Sequence, residues 1–149
     1  VAQPSVLAQR TELVLDDETL SPTTVALAAA RAHTVRIRQG MALPTRAAVR
    51  ALVALLDDAI VASGRSRADV PVVLEVEAVV ARDEADAARR RTNLALAAAF
   101  SHATWHADAA LLVASAAGID EAARALAAEV GVDRVELVPV GAAPLVATH

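Results

Sequence analysis

The chain has 149 residues, 56% hydrophobic and 21% charged, which is enough apolar material for a buried core and too much for a disordered segment. Its net charge of −4 argues against nucleic acid, whose binding needs a clustered basic surface. The absence of cysteine excludes disulfides and thiolate chemistry, and one Trp, one Phe and no Tyr leave Ala, Val and Leu to build the core.

Residues 1–9 read as an extended arm. Glu12–Asp16 (ELVLD) is a predicted strand that runs into an acidic turn, Asp17–Leu20. Ser21-Pro22 then starts a helix: the serine hydroxyl accepts from a free backbone N–H, and proline suits the first helical position. The helix continues to Ala32, where His33 serves as a polar cap. His33–Arg38 alternates as a strand does, with Val35 and Ile37 on one face and Arg36 and Arg38 on the other. After the loop Gln39–Leu43, Pro44-Thr45 opens a second helix. Its Val49, Leu52, Val53, Leu56 and Ile60 form an amphipathic stripe, and Ser63-Gly64 ends it.

Val70–Val80 is the longest β-branched run. Val72, Leu74, Val76, Ala78 and Val80 share an apolar face, and the other face is nearly apolar too, so the strand belongs inside the sheet. Glu75 and Glu77 lie side by side on that second face. Two readings are open for them: a general acid and base, or a charge ladder with Arg36 and Arg38, whose spacing of two matches theirs. A helix follows from Asp83 to Phe100 with acidic residues in its first turn. Arg89, Arg90 and Arg91 within it form the one basic run and read as a solvated face.

Ser101–Asp108 is irregular. Its His102 and His106, spaced i, i+4 with Asp108 nearby, suit either a metal or an ordinary surface pair, and Trp105 suits the core or a dimer contact. The surface pair is the reading adopted, with no metal site. Ala109–Val113 is a short apolar stretch of either type. Gly118–Val130 is a helix closed by Gly131, Val132–Val138 is the last strand, and Pro139–His149 is a small-residue tail.

Single strands alternating with helices predict an α/β fold: one domain over residues 1–149, with a mainly parallel sheet and right-handed crossovers. Ligands on such sheets bind at the carboxyl ends of the strands. The loops Asp16–Ser21, Arg38–Pro44, Arg82–Asp83 and Val138–Ala143 form that rim. No apolar run is long enough to span a bilayer, and the first twenty residues lack a signal-peptide pattern, so the expectation is a cytoplasmic protein with no membrane or nucleic-acid partner.

Three segments in order resemble the C-terminal half of the luciferase-like, flavin-dependent monooxygenases. LVLDDETLSPTTVALAAARAHTVRI (Leu13–Ile37) is similar to that family's strand, Ser-containing turn and alanine-rich helix. The stretch Pro44–Arg91 looks like its long helix, a GR-x-x-x-D-v connection (Gly64 to Val70), a strand and an acidic helix start. Ala110–Val140 resembles its closing helix and strand. The resemblance implies the later half of a TIM-type (β/α)₈ barrel, whose exposed inner face calls for a homodimer or a partner chain. It also implies flavin mononucleotide (FMN) as cofactor, with the phosphate at the turn of Ser21, Thr23 and Thr24. There Asp16, Asp17 and Glu18 oppose it by ~1 kcal/mol per pair at 4 Å in water. Ser115 and Gly118, ahead of the last helix, are the second candidate. The implied function is a flavin-dependent monooxygenase or oxidoreductase domain acting on a small organic substrate, with no catalytic residue assigned. The alternative is a cofactor-less remnant serving assembly or dimerisation.

Overall fold

Strand and helix alternate through the computed structural model, which describes residues 10–100 and 111–140. The order is β1 (Glu12–Leu15), α1 (Pro22–Arg31), β2 (Thr34–Arg38), α2 (Arg46–Ala62), β3 (Val72–Ala81), α3 (Glu84–Phe100), β4 (Leu111–Ser115), α4 (Ile119–Val130) and β5 (Arg134–Pro139). Of the short apolar stretch of undecided type, Leu111–Val113 belong to a strand, β4, which runs on to Ser115, and Ala109 and Ala110 lie outside the described residues. Every strand pairing is parallel, as the strand–helix alternation predicts.

β3 organises the sheet because its 10 residues reach three neighbours. Val73–Glu75 pair with both β2 and β5, so those strands lie on opposite edges of β3. Glu77 and Ala78 pair with both β4 and β5, so β4 takes over the β2 edge where β2 ends. The continuous path is β1-β2-β3-β5, with β4 added beside the carboxyl half of β3.

One sheet face is the core. Leu15, Val35, Ile37, Val72, Leu74 and Val76 are fully buried against Ala28 and Ala29 of α1, the whole predicted stripe of α2, and Ile119, Leu126 and Val130 of α4. The opposite face carries Glu12, Arg36, Arg38, Glu75, Glu77 and Glu136, since register partners in a sheet point the same way. Among the described residues α3 covers its carboxyl end, where Ala87 and Leu94 pack on Val79, Ala81 and Val113.

Local chemistry sets the helix boundaries. Ser21 and Thr45 cap α1 and α2 by accepting from Thr24 N–H and Ala48 N–H. α4 ends at Gly131 with φ of 85°, a left-handed conformation that costs glycine little. At the amino ends of the strands, Arg65 donates to the Ala29 and Ala32 carbonyls at 3.0 and 2.6 Å. Arg67 joins Asp57 of α2 to Asp133, which itself accepts from Val72 N–H at 2.7 Å. These clamps fix the helices at the end of the sheet remote from the ligand rim.

Candidate functional site

The rim at the carboxyl ends of the strands begins with the β1–α1 turn, whose polar groups bond to one another. Thr24 N–H donates to Ser21 Oγ at 3.1 Å and Ser21 N–H to Thr24 Oγ1 at 2.8 Å, a reciprocal capping box. The Thr24 hydroxyl also lies 2.6 Å from the Thr19 carbonyl. Partial desolvation raises the pKa of Asp16, but bonds from Glu18 N–H and from the hydroxyl and N–H of Thr19 outweigh it and hold the carboxyl below its ordinary range.

Asp17 reaches across to the next loop. Its carboxylate accepts from Met41 N–H at 3.0 Å and Ala42 N–H at 2.8 Å. Gly40 makes room for it, since a Cβ there would stand 2.3 Å from Asp17 Oδ2. A pair of convergent backbone N–H groups is an anion site, and the chain fills this one with its own carboxylate. With Ser21 and Thr24 committed to each other, Thr23 exposed and two aspartates close by, this turn as folded does not fit an added phosphate.

The start of α4 differs. Gly118 is its cap residue and supplies no side-chain bond, so the first-turn N–H groups lack a side-chain acceptor there. Ser115, buried at the end of β4, accepts from Gly118 N–H at 3.2 Å and shapes the turn. Asp120 and Glu121 lie in this first turn without capping it. Next to it, an apolar cleft of about 360 Å³ is lined by Ala78, Val80, Ile119, Leu137 and Pro139. That volume falls within the ~300–1,000 Å³ of small-molecule sites. On the same rim Gln39 Oε1 is buried without a hydrogen-bond partner among the described residues, an acceptor suited to a ligand N–H.

The inner face holds a charge network centred on Arg36. Its guanidinium meets Glu12 at 2.5 Å, Glu136 at 3.1 Å and Glu75 at 3.3 Å, and Arg38 also reaches Glu75 at 3.4 Å. The Glu12 bond above all, against partial desolvation and with help from Glu136, raises the Arg36 pKa further. The ladder reading of Glu75 therefore holds and that of Glu77 does not. In the parallel register Arg38 faces Glu75, while Glu77 lies between Leu111 and Val138, beyond the end of β2. Glu77 is exposed and Glu75 is ion-paired, so the two carboxylates do not share a desolvated site in which one would act as acid.

Sequence reasoning missed Asp86. Only 3% of its side chain is exposed, and it gathers part of the basic run that reads as a solvated face: Arg89 and Arg90 both pair with it. Arg91 instead donates to the Val113 carbonyl and to Glu84. The Arg82 N–H foremost, then Arg90 and Arg89, outweigh desolvation and pull the Asp86 pKa down to about 2. The available signal was the spacing of Asp86 from Arg89 and Arg90, three and four residues on one helix. His33 does not cap α1. Ala32 ends that helix, and His33 Nδ1 accepts from Thr11 N–H at 3.0 Å, tying down the start of β1. His102, Trp105, His106 and the part of the expected Val138–Ala143 rim that follows Val140 lie outside the described residues.

Among the described residues no helix is long and apolar enough to cross a membrane. No family profile matches the chain, and no curated protein matches it. Solved structures do. The long-chain alkane monooxygenase LadA superposes with a TM-score of 0.56 at 13% identity, over 80% of this chain and 35% of its own. DmoA from Hyphomicrobium sulfonivorans gives 0.59 at 13% identity, over 86% and 36%. The coenzyme F420-dependent tetrahydromethanopterin reductase of Methanopyrus kandleri gives 0.57 at 12% identity, over 89% and 45%. The chain thus spans less than half the length of each of these structures, and its parallel βα sheet matches part of their TIM-type barrel fold.

Proposed function

We propose that this chain is the later part of a luciferase-like oxidoreductase barrel, working with a flavin-type cofactor on a small organic substrate. The observation that carries the reading is the run of parallel βα units matching 35–45% of three such structures, with an apolar cleft on the rim where ligands of these sheets bind. Fold alone does not set chemistry, so the assignment rests on the rim as well.

A bound flavin-type group supplies the electron transfer. The residues of this chain bind and orient. The uncapped start of α4, with Ser115 and Gly118, suits an anionic phosphate better than the Ser21–Thr24 turn. Ala78, Val80, Leu137 and Pro139 offer an apolar wall that excludes water from an organic substrate, and Gln39 offers an acceptor.

The test compares flavin mononucleotide with riboflavin, which lacks the phosphate, by flavin fluorescence. Micromolar binding of the mononucleotide, at least tenfold tighter than riboflavin and tightened severalfold by Asp120→Asn with Glu121→Gln, supports the reading. A gain from Asp17→Ala instead moves the phosphate to the β1–α1 turn. A second reading, a cofactor-less assembly domain, draws support from the closure of that turn by Asp17 and the capping box. Absence of binding at millimolar flavin favours it.

A further inference from the structure

Both lateral edges of the four-strand path are open among the described residues. β1 pairs only with β2, and β5 pairs only with β3. The core is open at the same two places. Val35, Ile37, Val72, Leu74 and Val76 on the inner strands are fully buried, and so is Leu15 at the carboxyl end of β1. Leu13 nearer the start of β1 and Val135 and Leu137 of β5 point to the same face and are only partly covered. Beside β5 the missing cover leaves an open groove of about 640 Å³ between the strand and α4.

The other face is unfinished in a complementary way. Glu12 on β1 is 44% exposed despite its bond to Arg36. Arg134, at the start of β5 on that face, is exposed and has no ion pair among the described residues. One edge strand thus presents a partly free carboxylate, and the other a free guanidinium.

We propose that β1 and β5 form a self-complementary seam and that its occupant is a second copy of this chain. A two-fold axis parallel to the strands sets β5 of each copy beside β1 of the other, twice, with all strands still parallel. Two copies of the path β1-β2-β3-β5 supply eight strands, the number at which a parallel βα sheet closes into a filled barrel. Each seam covers Leu13 with Val135 and Leu137, brings Arg134 toward Glu12, and removes two unpaired strand edges. The inference rests on the partial-barrel part of the proposed function and is independent of its flavin part.

Sedimentation of the 149-residue chain at micromolar concentration tests it first. A species of twice the 15.3 kDa chain mass is expected. The chain has no cysteine of its own, so a pair of introduced ones reports the seam. Glu12 and Arg134 lie three strand spacings apart within one sheet, about 14 Å, beyond the ~7 Å Cα reach of a disulfide. Glu12→Cys with Arg134→Cys, or with Glu136→Cys if the register steps by one pair, should oxidise to a covalent dimer. Each single variant should stay a single chain on a denaturing gel. Arg134→Glu should weaken the dimer at least tenfold.

A monomer throughout the micromolar range overturns the proposal. So does a dimer that resists cross-linking in both double variants, or one that cross-links through a single variant, because its contact lies elsewhere. A flavin titration on the same sample separates the two ideas. A flavin-binding monomer overturns the seam and keeps the cofactor reading; a cross-linked dimer without flavin affinity does the reverse.

Discussion

Asp86 shows how a nearly buried carboxylate is kept charged in a chain otherwise built from Ala, Val and Leu. The Arg82 N–H and the guanidinium groups of Arg89 and Arg90 bind its ionised form and set its pKa near 2, below the ordinary carboxylate value of 3.8. A depressed folded-state pKa contributes stability that is complete above the unfolded value and is lost as pH falls through the folded one. The melting temperature of the native chain should therefore drop between about pH 4 and pH 2. Asp86→Asn should remove part of that drop while lowering the melting temperature at neutral pH; an unchanged acid limb would show that Asp86 does not carry it. Arg36 carries the opposite charge at the centre of three glutamates and is only 13% exposed. Arg36→Met leaves those carboxylates facing one another and should cost about 2 kcal/mol in chemical denaturation, below the full cost of a broken buried pair because the glutamates remain partly hydrated. A loss under 0.5 kcal/mol would mark the network as solvated and independent.

Among the elements, α1 and α4 begin in contrasting ways. The start of α1 is closed by the Ser21–Thr24 capping box, and that of α4 is left without a side-chain cap. Ser21→Ala should destabilise the chain by about 1 kcal/mol. A neutral result, with flavin affinity lost instead, would make Ser21 a ligand-binding residue and not a cap. Helix identities were legible because their signals are local: the Ser21-Pro22 start, the Val49-to-Ile60 stripe and the terminal Gly131 all act within one or two turns. What escaped needed three-dimensional neighbours. The partnership of Glu75 but not Glu77 with arginine follows from where β2 ends against β3, a register that neither strand encodes alone. The bond from Asp17 to Met41 and Ala42 spans 24 and 25 residues, and the tie from Thr11 to His33 spans 22.

For the whole molecule, parallel topology was readable from the strand–helix rhythm, because parallel strands need a crossover and a helix is the compact one. The position of β4 was not readable. A strand of five residues with no alternation looks like any short apolar segment until β3 proves long enough to hold it beside β2. The resulting sheet is a wall with helices α1, α2 and α4 behind it, α3 over one end of its front and, among the described residues, two unpaired sides. It matches part of a larger barrel in each of the structures it resembles. We propose that this wall belongs to a flavin-type oxidoreductase, with the phosphate at the head of α4. A fluorescence titration of flavin mononucleotide against riboflavin tests it most directly. Saturable micromolar binding that depends on the phosphate and strengthens in the Asp120→Asn, Glu121→Gln variant is the predicted result. No quenching up to millimolar mononucleotide would contradict it and leave a scaffold whose role is assembly.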